Sequence, residues 1–290
     1  LLAALDAGRV AGAAIDVWSE EPPRSETVRR LIQHPRVIVT PHLGANSSEA
    51  QVNVAVDVAR QIVAFRDGEL VEHAINIPVG DPATLAALRP WLGLADRLGR
   101  FCVQLDPEHL ARVTVEAAGR IAESDPALLA RAVLAGLLAP VVAGPVNLVN
   151  AHLVAAERGV AVEVTQAPEA AGYQSVLSVS TETAGGRKTI AGTVFEGQPR
   201  VVRLRDLNIE FAPEGFVLVL SYEDRPGMVG RIGSILGRLN VNIASMHVGR
   251  RSKRGRAIVV LRLDEDLLPG QLQEVAAAVE ADFARLIRLV

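Results

Sequence analysis

His42 and Glu21 are the residues of this 290-residue chain whose types and placing suit them to move a proton. His42 follows Pro41, just past the apolar run Val37-Ile38-Val39-Thr40. Glu21 lies in the polar loop that leaves the earlier run Ala13-Ala14-Ile15-Asp16-Val17-Trp18. If the two runs are neighbouring strands of an open α/β sheet, both side chains leave from its carboxyl edge, where such sheets bind ligands. A carboxylate beside an imidazole raises the imidazole pKa and keeps it able to donate a proton, which suits carbonyl reduction and its reverse. Asp16, at the end of the earlier run, could accept a hydrogen bond from a carboxamide in the same cleft. Spacing alone leaves another reading open, with His42 as a turn residue and the acidic loop as a solvated one.

A second group lies far along the chain, in Tyr222-Glu223-Asp224-Arg225-Pro226-Gly227-Met228. Pro226 fixes a helix entry, Gly227 lets a ligand approach the backbone, and the free amides of a helix start attract a carboxylate. Asp224, with the side-chain carbonyl of Asn242 on what reads as the adjacent strand, could take up an ammonium group. An ordinary strand-to-helix turn with a capping Asp fits the same spacing.

The elements that must position these residues follow from periodicity. Leu1 to Ala7 reads as a helix entered midway rather than a signal peptide, since it has no basic flank and no Met. The run Ala13 to Trp18 reads as a strand buried on both faces, followed by a short helix and a strand at Val37 to Thr40. Asn46 can cap a helix with Val52, Val56, Ala59 and Val63 on one face, stopped by Gly68. A short strand at Ala74 to Pro78 precedes a linker at Gly80-Asp81-Pro82, the first seam. From Pro90 to about Phe211, helical stretches alternate with strands at 112–118, 160–165, 175–181, 188–195 and 200–204, with Gly185-Gly186 as a hairpin turn. The last segment has the order strand (216–223), helix (230–239), strand (241–248), strand (256–263), helix (268–281), strand (285–289), the split βαβ or ferredoxin-like arrangement. The fold class is therefore mixed α/β and α+β over three domains: 1–80, a partial doubly wound remnant; 81–212, a self-contained α+β domain; and 213–290.

Composition narrows the partners. A formal net charge of -3 gives no electrostatic reason to expect nucleic acid or an anionic membrane. Hydrophobic residues are 49% of the chain but aromatics only 3%, so the cores must be aliphatic. Cys102 is the single cysteine, which excludes an intrachain disulfide and fits a reducing cytoplasm. The six histidines are scattered, and no metal is expected. The longest apolar region, Ala132 to Ala156, is interrupted by Pro140, Gly144, Pro145, Asn147 and Asn150, which argues against a membrane span. The basic run Arg250 to Arg256 has no aromatic neighbours and reads as a solvated hairpin turn.

Three stretches resemble known families. Val10-Ala11-Gly12-Ala13-Ala14-Ile15-Asp16-Val17-Trp18-Ser19-Glu20-Glu21-Pro22 with Thr40-Pro41-His42-Leu43-Gly44-Ala45 resembles the closing signature of the D-2-hydroxy-acid dehydrogenases. The resemblance implies His42 as acid/base, Glu21 as the group that orients and charges it, and Asp16, His42 and Gly44 as contacts of an NAD nicotinamide. Glu20 is one residue off that register. Asp224-Arg225-Pro226-Gly227-Met228-Val229-Gly230 with Val241-Asn242-Ile243-Ala244 resembles the ACT domain, an amino-acid-binding module at subunit interfaces. It implies Tyr222, Asp224 and Asn242 as effector contacts, with Asn240 a weaker candidate. Leu137-Leu138-Ala139-Pro140, Val146 to Ala151 and Glu157-Arg158-Gly159 resemble the intervening domain of the long-form D-3-phosphoglycerate dehydrogenases, for which Arg187, Lys188, Arg200, Arg203 and Arg205 are available anion-binding cations.

Taken in order, the three imply oxidation of 3-phosphoglycerate with NAD in serine biosynthesis, L-serine as feedback effector, a cytoplasmic homo-oligomer, and neither nucleic acid nor membrane as partner. Two parts of that machinery are not found: no G-x-G-x-x-G occurs, and the substrate-clamping Arg is expected before Leu1, so the chain by itself is expected to be inactive. An amino-acid-sensing protein without catalysis, or a dehydrogenase for another 2-hydroxy acid, remain the alternative readings.

Overall fold

The computed structural model of the chain describes residues 1–66, 71, 82–252 and 254–289. The chain divides into two compact units, Leu1–His73 and Ala74–Val290. The expected strand Ala74 to Pro78, the helix stop at Gly68, Gly80 and Asp81 of the linker, and Lys253 of the basic run lie outside the described residues.

The first unit is built from α1 (Leu2–Asp6), β1 (Ala13–Ile15), α2 (Glu26–Ile32), β2 (Val37–Val39) and α3 (Ser48–Arg66). The strands pair in parallel, Ala13 opposite Val37 and Ile15 opposite Val39, with α2 as the crossover, so this is one βαβ unit. Ser25 caps α2 by accepting from Val28 N at 3.4 Å, and Leu5, Val28 and Leu31 form the small core. Burial of the strands on both faces is not observed. Ala14, Ile38 and Val39 are exposed, because a two-stranded sheet packed on one short helix has too little around it to cover both faces. The cap of α3 also differs from expectation. Ser47 accepts from Ala50 N at 3.1 Å, whereas the N–H of Asn46 closes the preceding turn on Leu43 O. Val52, Val56, Ala59 and Val63 share a face of α3, but the helix buries none of its residues.

The second unit opens on α4 (Pro82–Leu105), of which Pro82 is the first residue rather than part of a linker. There follow β3 (Arg112–Gly119), a 3₁₀ turn (Arg120–Glu123), α5 (Pro126–Leu138), α6 (Ala151–Glu157), β4 (Ala161–Ala167), β5 (Ser175–Thr183), β6 (Gly186–Phe195), β7 (Gln198–Leu204) and β8 (Leu207–Phe211). The strands form a six-stranded sheet in the order β4-β3-β5-β6-β7-β8, with β3 and β4 parallel and the remaining pairs antiparallel. Strand β8 was not anticipated, although its alternation is plain: Leu207, Ile209 and Phe211 are buried while Asn208 and Glu210 are exposed.

The long apolar region is split between α5 and α6, and no helix among the described residues is long and apolar enough to cross a membrane. Between them the two asparagines satisfy backbone groups. Asn147 Oδ1 accepts from Val149 N and Asn150 N at 2.9 and 3.2 Å, and Asn150 Nδ2 donates to Pro145 O at 2.9 Å. Cys102 is buried on α4, and burial pushes its thiol pKa up to about 12, which leaves it unreactive.

The chain closes with β9 (Gly215–Glu223), α7 (Met228–Arg238), β10 (Ile243–Arg250), β11 (Arg256–Leu263), α8 (Pro269–Ala278) and β12 (Phe283–Leu289). The sheet order β10-β11-β9-β12 is that of the ferredoxin-like arrangement. Leu218, Leu220, Val259 and Leu261 meet Ile232 and Leu236 of α7 in an aliphatic core. Alternation sends Val217, Val219, Val260 and Ile287 to the opposite face, and they are buried too. That face is covered from within the same unit. Helix α4 lies along β12, where Gln104 donates to Arg288 O at 3.0 Å and accepts from Arg288 N at 2.9 Å, and Leu207 and Ile209 of β8 reach Gly249 of β10.

Helices α4 and α5 touch backbone to backbone. A Cβ on Gly99 would lie 2.1 Å from Val133 O, and one on Gly136 would lie 2.0 Å from Asp96 O. Either glycine replaced by Ala must push the helices apart. Gly99→Ala is expected to lower stability by at least ~1–3 kcal/mol, whereas Gly93→Ala on the same helix, where no atom lies within 4 Å, is neutral or stabilising by up to ~1 kcal/mol. Urea unfolding midpoints of the two variants check this; equal destabilisation would remove the backbone contact as the cause.

Candidate active site and effector-binding residues

The carboxylate of Asp16, one residue past β1, organises the loop that follows β2. Its Oδ1 accepts from Leu43 N at 2.8 Å and from Thr40 Oγ1, and its Oδ2 faces Gly44, where a Cβ would come within 3.2 Å. These bonds hold the carboxylate pKa below its ordinary value, the Thr40 hydroxyl contributing most and Leu43 N next. Asp16 thus ties the end of β1 to the loop 40–44.

That loop presents His42 in the left-handed region, at φ 55°, a conformation uncommon for a residue with a side chain. The ring meets Glu21 at 2.8 Å, Nδ1 to Oε2, while the other Glu21 oxygen, Oε1, accepts from Trp18 N at 3.2 Å. Glu21 is therefore oriented by the backbone of its own loop before it reaches the ring. The hydrogen bond and charge of Glu21 raise the His42 pKa, and the bond to His42 lowers that of Glu21. With Nδ1 bonded to a carboxylate it carries the proton, so Nε2 of the neutral ring is the acceptor. The sequence places both residues at the carboxyl edge of parallel strands, and the structure brings them into contact. Glu20 turns the other way: its Oε1 accepts from Arg24 N at 3.1 Å and from Ser25 N, securing the entry to α2. Among the described residues no group of three or more His, Cys, Asp or Glu could hold a metal ion.

The residues expected to bind an effector do not converge within one chain. Strands β9 and β10 are both antiparallel to β11 and so run the same way. Asp224 follows the end of β9 and Asn242 precedes the start of β10, at opposite ends of the sheet and ~30 Å apart at ~3.3 Å per residue. Asn242 is also not on a strand adjacent to β9, because β11 lies between. Its backbone N–H donates to Glu265 Oε2 at 2.8 Å and its side-chain NH₂ to Asp264 Oδ2 at 2.6 Å. Asp224 Oδ2 accepts from Arg250 Nη1. Tyr222 is only 1% exposed, its ring in the core beside Leu220 and Met228, and burial with Asp224 nearby pushes its hydroxyl pKa up. Gly227 caps α7 with φ 90°, as the turn requires.

The cations expected to be free are partly engaged. Lys188 pairs with Asp106, and the Arg205 guanidinium lies 5.2 Å from the Phe283 ring centroid. The basic hairpin is not merely solvated either: Arg250, Arg251 and Arg256 pair with Asp224, Asp206 and Asp282. Nothing in the one-letter pattern distinguishes these partners, since each lies on a different element.

Comparison with known proteins gives the same order of parts. Residues 1–44 match the D-isomer specific 2-hydroxyacid dehydrogenase NAD binding domain, 87–205 the D-3-phosphoglycerate dehydrogenase intervening domain, and 216–280 the ACT domain. The chain is 35% identical over 277 residues to D-3-phosphoglycerate dehydrogenase of Archaeoglobus fulgidus, covering 95% of this chain and 52% of that one. The enzyme of the same name from Bacillus subtilis is 37% identical over 292 residues, 100% of this chain and 55% of its own length. That from Synechocystis is 40% identical over 279 residues, with coverages of 95% and 50%. The chain thus spans about half the length of the curated relatives it matches. A βαβ unit carrying a joined Glu and His, and parts matching an intervening domain and an ACT domain in this order, make the chain similar over nearly its whole length to part of the D-3-phosphoglycerate dehydrogenases.

Proposed function

We propose that residues 1–290 supply the acid–base pair and the regulatory half of an NAD-dependent oxidation of 3-phosphoglycerate to 3-phosphohydroxypyruvate, the step that opens serine biosynthesis. The carrying observation is the 2.8 Å contact of Glu21 with the His42 ring, both on loops at the carboxyl edge of a parallel strand pair. The residues present fit the nicotinamide end of NAD. Asp16 Oδ2 offers an acceptor for a carboxamide, and Gly44 leaves open the space that a side chain would fill. When bound, NAD supplies the two-electron acceptor for the hydride from C2 of the substrate. His42 Nε2 takes the C2 hydroxyl proton as the carbonyl forms, and Glu21 stabilises the resulting imidazolium. Asp16 positions this pair by fixing the loop that carries His42.

The pyrophosphate turn is a further requirement of the reaction, and the sequence has no G-x-G-x-x-G to provide it. We therefore infer that the chain alone is inactive. On this reading L-serine is the effector of the terminal domain, held between two copies of the chain in a cytoplasmic homo-oligomer. Support for a shared site comes from the sheet itself. Strand β10 is an outer strand, and antiparallel pairing with its own copy brings Asn242 of one chain to the Arg250 and Asp224 end of the other.

Fusing the chain behind the matching front half of the Bacillus subtilis relative tests the chemistry. The fusion is expected to reduce NAD with 3-phosphoglycerate, the 290-residue chain alone to give none, and His42→Gln in the fusion to lower kcat on the order of 10²–10⁴-fold. Turnover only with a different 2-hydroxy acid would sink the substrate assignment, and an unaffected His42→Gln variant the proton assignment. Because the raised His42 pKa must be exceeded before Nε2 can accept a proton, oxidation is expected to rise with pH through that pKa and then level off. Proton NMR of the chain alone should show the His42 ring titrating above the ordinary imidazole value in the parent and lower in Glu21→Gln; coincident titrations would show that the carboxylate does not act on the ring.

A further inference from the structure

We propose that Arg250 is a tethered competitor of the amino-acid effector: its guanidinium occupies the Asp224 carboxylate until a ligand ammonium replaces it, and the release is passed to the six-stranded sheet through the adjoining Arg251–Asp206 pair. The proposal rests on the effector reading above and deepens it by naming what the ligand must displace.

Asp224 is well placed to hold one cation and poorly placed to hold two. Its backbone N–H donates to Gly255 O at 2.9 Å, so the start of β11 fixes the carboxylate at the mouth of the turn into α7. Its side chain is only 20% exposed, against 49% for Arg250. A second copy of the chain or a ligand laid over this corner removes more water from Asp224, and a single carboxylate then cannot balance both a guanidinium and an ammonium. The guanidinium is the one free to leave. It sits on the last residue of an outer strand, beside an exposed turn, where ion pairs are weak and a long side chain can return to water.

Arg251 gives the exchange a direction. Successive residues leaving a strand point opposite ways, and where Arg250 turns to Asp224, Arg251 pairs with Asp206. Asp206 lies in the tight turn between β7 and β8, whose preceding residue, Arg205, has φ 56° and stacks on Phe283 of β12. Two consecutive arginines therefore link the proposed effector carboxylate to the turn that precedes β8, and β8 packs Leu207 and Ile209 against Gly249, one residue before Arg250. A change of partner at Arg250 reaches both ends of this contact. The same geometry accounts for selection of a free α-ammonium, since only a cation can take the place of a cation.

Calorimetry with L-serine on the complete 290-residue chain, with parallel runs on Arg250→Ala, Arg250→Gln and Asp224→Asn, separates the possibilities. Both Arg250 variants are expected to bind L-serine about two- to five-fold more tightly than the parent, the gain that removal of an exposed ion pair corresponds to. Asp224→Asn is expected to lose binding, and N-acetyl-L-serine to bind none of them. Hydrogen exchange at 205–207 is expected to quicken on adding L-serine to the parent and to be already quick in Arg250→Ala. Unchanged or weaker binding by both Arg250 variants, beside a parent that binds, overturns the competitor and leaves the effector site standing. So does binding of N-acetyl-L-serine as tight as that of L-serine. An absence of L-serine binding in the parent and in both Arg250 variants, or full binding by Asp224→Asn, removes the effector reading and this proposal with it. Binding by the Arg250 variants alone supports both.

Discussion

The second unit depends on the close approach of two helices that only a pair of glycines permits. Gly99 and Gly136 each face the other helix's backbone oxygen at a distance no Cβ could tolerate, so α4 and α5 share one fixed separation. From there α4 continues as a rod with two further tasks. Its Leu94 presses on Gly192 of β6, another position where a Cβ would collide, and its Gln104 holds Arg288 on β12. Moving α4 by the width of a methyl group disturbs both sheets, because packed interiors shift as blocks and do not flow.

In the first unit a single carboxylate performs the comparable task with polar contacts. Asp16 has little around it to bury, and it works through three bonding groups, Thr40 Oγ1, Leu43 N and the nearby Gly44, on the loop that bears His42. The Glu21–His42 pair is thus held from two sides. Trp18 N aims Glu21, and Asp16 holds the backbone that aims His42. Such support gives two adjacent titratable groups the fixed geometry that the proposed proton transfer requires.

Much of this was legible in the residues. A strand-edge argument put Glu21 and His42 within reach of each other, because the carboxyl ends of parallel strands are a fixed place even when the sheet is not seen, and the family resemblance chose this over a solvated turn. The βαββαβ order was likewise written in alternating periods, since 2 and 3.6 residues are easy to tell apart in aliphatic sequence. Local competition was not. Asn242 is expected beside β9 from its closeness in sequence, but the split βαβ arrangement expected from the same residues puts β11 between the two strands, as is observed. Ser47 takes the capping position in place of Asn46 because the turn closed by Asn46 N on Leu43 O delays the start of α3 to Ser48, which leaves Ser47 as the residue before the helix. Strand β8 escaped notice despite its alternation, because the turn Arg205-Asp206 carries no Gly or Pro to mark where β7 ends. The ion pairs of the basic hairpin were hidden because Asp206, Asp224 and Asp282 come from three distant stretches.

The amide of Gln104 on Arg288 has an effect on how many molecules can associate. Donating to one backbone group of β12 and accepting from the other, it takes the place of the strand that an outer strand otherwise recruits. Strand β10, at the other side, takes no such bond among the described residues. A sheet with one side sealed has a valence of one. Were two such sheets to join along their open sides, neither would offer a bare backbone at Arg288 to a third, so the amide guards this end of the sheet against open-ended strand addition.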